Sequence, residues 1–196
     1  MRAAEIYLSN ENYHKALENF SNLELIADHS TNIITAIYGQ MECHYKLNEY
    51  PEAIESSRKL RSLDRISNEQ LIKSYYIAGK SELEMENLTK AKQELESTVE
   101  LSQGAFGAEA KYLLATIAFK QGELKKVEDV VVELAGQYPS YEYWKAKGFL
   151  LLSDVYVSLG NNFQAKETLQ SIIQYYPDKD LKEIAIEKLN DIEKKE

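Results

Sequence analysis

Cysteine, proline and glycine are all scarce in this chain, and each scarcity removes a class of structure. Cys43 is the one cysteine among 196 residues, so no intrachain disulfide can form and the redox compartment stays open. Three prolines and eight glycines are too few to punctuate the many short strands of a β-sandwich or barrel. Long helices with short connections fit better. Basic residues are outnumbered, 23 Lys and Arg against 32 Asp and Glu, for a net charge of −9. Nucleic acid is therefore not an expected partner, because phosphate binding depends on clustered cations. The nearest basic run, Arg58-Lys59-Leu60-Arg61, is short enough to be a solvated helix face. No apolar stretch approaches the roughly 20 residues that cross a bilayer. The start, Met1-Arg2-Ala3-Ala4-Glu5, has no hydrophobic segment of a secretory signal.

What the sequence does have is a period. Five segments carry an alanine-like residue followed at +4 and +7 by apolar or small residues. They are Ala16-Phe20-Leu23, Ala53-Ser57-Leu60, Ala91-Leu95-Thr98, Val127-Val131-Leu134 and Ala165-Leu169-Ile172. The leading residues are separated by 53 − 16 = 37, 91 − 53 = 38, 127 − 91 = 36 and 165 − 127 = 38 residues. An i, i+4, i+7 triplet is one face of a helix, so the same helix is being reused. A further helix precedes each later triplet, with apolar positions at Ile37 and Met41, Tyr75 and Gly79, Leu114 and Ala115, and Phe149, Leu152 and Tyr156. Between the two helices lie Asn48-Glu49, Glu86-Asn87, Gly122-Glu123 and Gly160-Asn161-Asn162, where Gly and Asn suit a left-handed helix end. Each unit is helix, tight turn, helix.

Two units exit through the same pair, Tyr138-Pro139 and Tyr176-Pro177, where proline stops the second helix. Ser140 and Asp178 or Asp180 then offer N-caps, and Asp180 with Glu183 reads as a capping box. Ser67 with Gln70 reads as another.

With these residues in register, the chain resembles the tetratricopeptide repeat family. The last repeat carries that family's pattern almost throughout, at Phe149, Leu152, Ser153, Tyr156, Gly160, Ala165, Leu169, Ile172 and Pro177. The fourth carries it at Leu114, Ala115, Gly122, Val131, Leu134 and Pro139. The second does so at Ile37, Asn48, Tyr50, Ala53 and Leu60, and the third at Tyr75, Gly79, Ala91 and Leu95. Gln40, His44 and Glu82 depart from it, which puts the packing of the middle repeats in question. The resemblance implies an all-α fold, a right-handed superhelical solenoid of antiparallel helix pairs with about five repeats and a C-terminal capping helix. Approximate bounds are 1–29, 30–66, 67–104, 105–139 and 140–177 within a single domain of residues 1–196, with the capping helix over 179–194. The first unit is cut short, so the chain is expected to be the C-terminal part of a longer array, ending naturally at Glu196 after the charged finish Glu193-Lys194-Lys195-Glu196. The period exceeds the family's usual ~34 residues. Long units with Tyr-Pro exits resemble bacterial cell-envelope members, which would place the chain in the periplasm or envelope if exported, and in the cytoplasm otherwise.

Little in the sequence points to catalysis, and no enzyme, metal or cofactor is expected. His14, His29 and His44 lie far apart, and Cys43 and His44, as helix neighbours, point about 100° apart and cannot act as a dyad. Glu82 and Glu84, like Glu94 and Glu96, are expected as exposed surface charges. No phosphate loop, nucleophile elbow, HExxH or CxxC occurs.

The resemblance also implies where a ligand would lie, because the family's first helices line a groove at the fifth, ninth and twelfth positions. Here those columns are Tyr38, Tyr76, Tyr112 and Leu150; Glu42, Lys80, Thr116 and Asp154; and Tyr45, Leu83, Phe119 and Val157. Three successive tyrosines would make an aromatic ladder, or else simply pack against neighbouring repeats. Tyr38 and Glu42 stand where family members that clamp the acidic tails of chaperones need Lys and Asn, so that function is not expected. The leading expectation is a scaffold binding another protein or a peptide, with Tyr76→Ala and Tyr112→Ala weakening the partner while leaving the fold nearly intact. A glycan or small-ligand module, and self-association within a larger array, are the other two readings.

Overall fold

The computed structural model of the protein describes residues 2–194. Met1, Lys195 and Glu196 lie outside the described residues, and with them part of the expected charged finish and the expected natural end at Glu196. The described residues form helices and no strand. They run α1 (Arg2–Ser9), α2 (Tyr13–Ile26), α3 (Ser30–Lys46), α4 (Tyr50–Arg61), α5 (Asn68–Glu84), α6 (Leu88–Leu101), α7 (Ala105–Lys120), α8 (Leu124–Gln137), α9 (Glu142–Ser158), α10 (Asn162–Tyr175) and α11 (Lys179–Glu193). None is long and apolar enough to cross a membrane. The chain divides into two compact units, Met1–Leu101 and Ser102–Glu196. In the first, α1/α2, α3/α4 and α5/α6 are hairpins, with α1 beside α3 and α3 beside α5. In the second, α7/α8 and α9/α10 are hairpins and α11 closes against α9 and α10.

The small residue of each triplet explains the hairpins. Ala16, Ala53, Ala91, Val127 and Ala165 are all fully buried, so the paired helices approach over a side chain of minimal bulk. Around them Phe20, Leu60, Leu95, Val131, Leu134, Leu169 and Ile172 are buried, each contributing roughly 1.5–3 kcal/mol by leaving water. The two polar members of the triplets are satisfied within their own helices. Ser57 Oγ donates to the Ala53 carbonyl at 2.7 Å and Thr98 Oγ1 to that of Glu94 at 3.0 Å.

The turns are equally regular. Glu11, Asn48, Glu86, Gly122 and Gly160 all have positive φ, between 58° and 74°. Each stands five residues ahead of the buried small residue (16 − 11, 53 − 48, 91 − 86, 127 − 122, 165 − 160). The next residue's amide reaches back five positions to a helix carbonyl, as in Asn12 to Tyr7, Glu49 to His44, Asn87 to Glu82, Glu123 to Ala118 and Asn161 to Tyr156, at 2.8–2.9 Å. This is the Schellman closure, which needs one left-handed residue. Glutamate fills that position twice.

Helix starts follow the sequence in part. The Ser67–Gln70 capping box is formed, with both reciprocal hydrogen bonds present. The Asp180–Glu183 box is not. Asp178, held extended after Pro177, caps α11 by accepting from the Leu181 amide at 3.0 Å, which leaves Asp180 inside the first turn. Ser140 does not cap α9 either, because the N-cap position is occupied by Tyr141. At the Tyr-Pro exits the tyrosine is the anchor. Tyr138 is 1% exposed and donates its hydroxyl to the Ser102 carbonyl at 2.8 Å. Tyr176 is buried edge-on against Phe149, and burial, with the charge of Glu142 adding to it, pushes its phenol up to about 12.

Candidate interaction faces

The residues most suggestive of chemistry are taken up by structure. Cys43 is fully buried beside Ala4, Ala16 and Phe20. Burial, with Glu42 and Glu49 adding their charge, pushes its thiol up to about 12, far from a reactive thiolate. His44 points elsewhere, with Nδ1 2.7 Å from Glu49 Oε2 at the turn. His14 and His29 are exposed on separate elements. Among the described residues no group of three His, Cys, Asp or Glu could hold a metal ion.

The expectation of exposed acidic pairs is corrected at Glu82, which is 2% exposed. Its position on α5 turns it toward α4 and the following turn, where it accepts from Asn87 Nδ2 at 2.9 Å and Arg58 at 3.4 Å. Glu94 is half-buried under the forked guanidinium of Arg61, whose other face covers the Tyr75 ring at 4.2 Å. Glu84 and Glu96 are exposed as expected. The departures from the family pattern thus build a polar network rather than loosening the packing. Gln40 donates to Glu24, which also pairs with Lys59. Burial works against the charge of Glu24, but its bonds from Lys59 and Gln40 win and hold its carboxyl below the usual range. The basic run of α4 is accordingly spent on α2, α5 and α6 through Lys59, Arg58 and Arg61.

In the first unit the candidate groove residues gather on α3 and α5. Tyr38, Glu42 and Tyr45 occupy one face of α3 and are partly buried. From α5, Lys73 pairs with Glu42 and sits 5.3 Å from the centre of the Tyr38 ring. Burial pulls the Lys73 ammonium down, but the bond and charge of Glu42 outweigh it and the group is raised. Lys80 lies over both Tyr45 and Tyr76, at 5.6 and 5.1 Å, and donates to the Tyr76 hydroxyl at 3.1 Å. Tyr76 is only 8% exposed, so Tyr76→Ala would open a cavity worth about 3–5 kcal/mol rather than leave the fold intact. Leu83 is partly buried at the end of α5.

In the second unit Tyr112, Thr116 and Phe119 lie along α7, all partly buried, and Thr116 bonds back to the Tyr112 carbonyl at 3.2 Å. On α9, Leu150 is 8% exposed and belongs to the core with Leu169 and Leu181. Asp154 pairs with Lys188 of α11 at 2.6 Å, beside a cleft of about 200 Å³ that Ser153, exposed Val157 and Ile192 also line. Tyr112 meets Trp144, with ring centres 5.6 Å apart, and Trp144 meets Tyr143 at 4.9 Å. Lys73, Tyr143, Trp144 and Lys147 were outside the sequence columns. A search one helical turn before each column would have found the lysines, since 76 − 3 = 73 and 150 − 3 = 147 share a face with Tyr76 and Leu150.

Comparison with known proteins now bears on this arrangement. No curated protein matches the chain in sequence. Residues 148–179 match the tetratricopeptide repeat family model. Among solved structures, MamA superposes with a TM-score of 0.70 at 18% identity over 99% of this chain and 98% of that one. YrrB, a TPR protein described as having an unusual peptide-binding site, gives 0.67 at 23% identity over 94% and 88%. BtubC from P. vanneervenii gives 0.72 at 14% identity over 98% and 84%. At such identities the likeness establishes fold, not ligand. The chain has the fold of these tetratricopeptide-repeat structures, and residues 148–179, its last helix pair, match that family in sequence.

Proposed function

We propose that the chain is a non-enzymatic scaffold that holds a peptide or a partner's helix against the faces of its first helices. The observation that carries this reading is the α3/α5 face, where Tyr38 and Tyr45 alternate with Glu42, Lys73 and Lys80. Partly exposed aromatic rings supply area at small entropic cost, and charges interleaved with them supply register. The one cysteine, Cys43, is packed away from this face among Ala4, Ala16 and Phe20, and burial holds the proton on its thiol. The likeness to YrrB, whose description names a peptide-binding site, supports the reading.

Panning a displayed library of random peptides against the protein tests it, with affinities of selected peptides measured by fluorescence anisotropy. Tyr38→Ala is expected to weaken a selected peptide about tenfold or more while circular dichroism is unchanged. Peptides that bind Tyr38→Ala and Tyr45→Ala as tightly as the parent would remove this face from the reading.

A further inference from the structure

The side chains around Lys147 form a nest on α7 and α9, apart from the α3/α5 face that carries the peptide reading. The Lys147 ammonium lies 4.6 Å from the centre of the Tyr112 ring, 5.1 Å from that of Trp144 and 5.6 Å from that of Tyr143. Tyr143 and Trp144 stand nearly perpendicular, at 80°, while Tyr112 is tilted only 31° from Trp144, so the cation is faced by ring surfaces from more than one direction. Tyr143 is 46% exposed, which leaves the nest open to solvent. Among the described residues Lys147 meets no carboxylate. The residues one turn further along α9, Leu150 and Leu151, offer none either. Its ammonium is held by ring faces alone.

We propose that this nest is a recognition site for an organic cation, an arginine guanidinium or an alkylated ammonium, with Lys147 as its resident occupant. The resident shows that the rings accept a positive head group at cation–π distance. Because Lys147 reaches back along its own helix to Tyr143 and Trp144, a change of rotamer on its flexible stem vacates the nest without moving the backbone. A guanidinium or a methylated ammonium is less strongly hydrated than a lysine head, so it gains more from the same three rings. The net charge of −9 draws cations toward the protein as a whole. The site stands on the ring geometry and is independent of whether the α3/α5 face binds a peptide.

Trp144 is the one tryptophan of the chain, so its emission reports this site alone. Tetramethylammonium chloride and N-acetyl-arginine amide are titrated at constant ionic strength, with sodium chloride and sodium acetate as controls. The whole protein is used, with circular dichroism reporting the fold of each variant. A saturable change in emission with both cations is expected, and none with sodium chloride. Lys147→Ala, or Lys147→Gln should the alanine variant lose structure, is expected to tighten both cations about two- to fivefold, the worth of one exposed cation–π contact. Tyr143→Ala is expected to weaken them by a similar factor. A response to tetramethylammonium but not the arginine amide would narrow the guest to alkylated ammonium and still support the site. The proposal fails if the folded lysine variants show no saturable cation response. It also fails if acetate shifts the emission of the parent and substitution of Lys147 abolishes that shift, because the nest would then read anions.

Discussion

The two units reach the same hairpin by different chemistry. In residues 2–101 the helices are tied by charge, through Glu24–Lys59, Arg58–Glu82, Arg61–Glu94 and Lys73–Glu42. In residues 102–194 two ion pairs also cross between helices, Lys111–Glu133 and Asp154–Lys188, but tyrosine anchors and apolar packing are added to them. Tyr138 is sealed onto Ser102, Tyr176 lies on Phe149, and a core runs from Ala146 to Ile192. The turns divide the same way. The first unit places Glu11, Asn48 and Glu86 in the left-handed region, and the second places Gly122 and Gly160 there. Backbone geometry is therefore shared while its support is not, and substitutions with equal outward character should have unequal effects.

The largest contrast is expected at a close approach in the second unit. A Cβ at Gly107 would lie 2.0 Å from the Ser102 carbonyl oxygen and 2.5 Å from the Tyr138 hydroxyl. Backbone cannot yield as a side-chain tip can, so Gly107→Ala should cost about 3 kcal/mol or more in urea unfolding. A loss under about 1 kcal/mol would show that the Tyr138 anchor is not rigid. Tyr138→Phe should cost about 1–3 kcal/mol by leaving the Ser102 carbonyl without its donor. Hydrogen exchange should locate that loss in α7 and α8, and protection lost equally in α3 and α4 would break the contrast between the units.

The turns come next. Gly160→Ala should destabilise by roughly 1 kcal/mol, since an L-residue resists the left-handed conformation. Glu86→Gly should stabilise by a few tenths to about 1 kcal/mol for the same reason read backwards. Thermal melts of the two variants should move in opposite directions. The smallest effect concerns pH. The carboxyl of Glu24 is held below its ordinary value of 4.5, so its contribution is fully present above that pH and is lost as pH falls through the lower, folded value. Glu24→Gln should therefore flatten the acid limb of the stability profile by about 0.2–1 kcal/mol, the scale of a partly exposed pair. An unchanged acid limb would take Glu24 out of the network.

The hairpins were legible in the sequence because periodicity reports which face a helix buries. The Ala16, Ala53, Ala91, Val127 and Ala165 register, the Gly and Asn turns and the Ser67 box are all local signals. What the pattern could not supply was partnership. Glu82 looked like a surface charge because its partner Arg58 lies 24 residues away, on another helix. Tyr138 stood out only as the residue before a helix-stopping proline, since its acceptor, the Ser102 carbonyl, is 36 residues back. The same limit hid the second unit's aromatic nest, because Tyr112 and Trp144 meet only across two helices. The candidate columns fared unevenly for a related reason. A column fixes a direction on its own helix, whereas exposure depends on the neighbour, and Tyr76 and Leu150 face neighbours that cover them.

The constant five-residue step from each left-handed turn residue to its buried small residue has a practical consequence for cutting and joining the chain. The spacing inside a hairpin never varies, while the period itself runs from 36 to 38 residues (122 − 86, 86 − 48). The slack must therefore lie elsewhere in the unit. One residue added between turn and small residue would swing the second helix by about 100° and face its alanine outward. Splice points placed in the connections between hairpins, such as 62–67 and 139–140, avoid that rotation and spare the Tyr138 anchor. Those connections are where a hairpin could be exchanged, duplicated or tagged as a cassette, with its own internal phase intact.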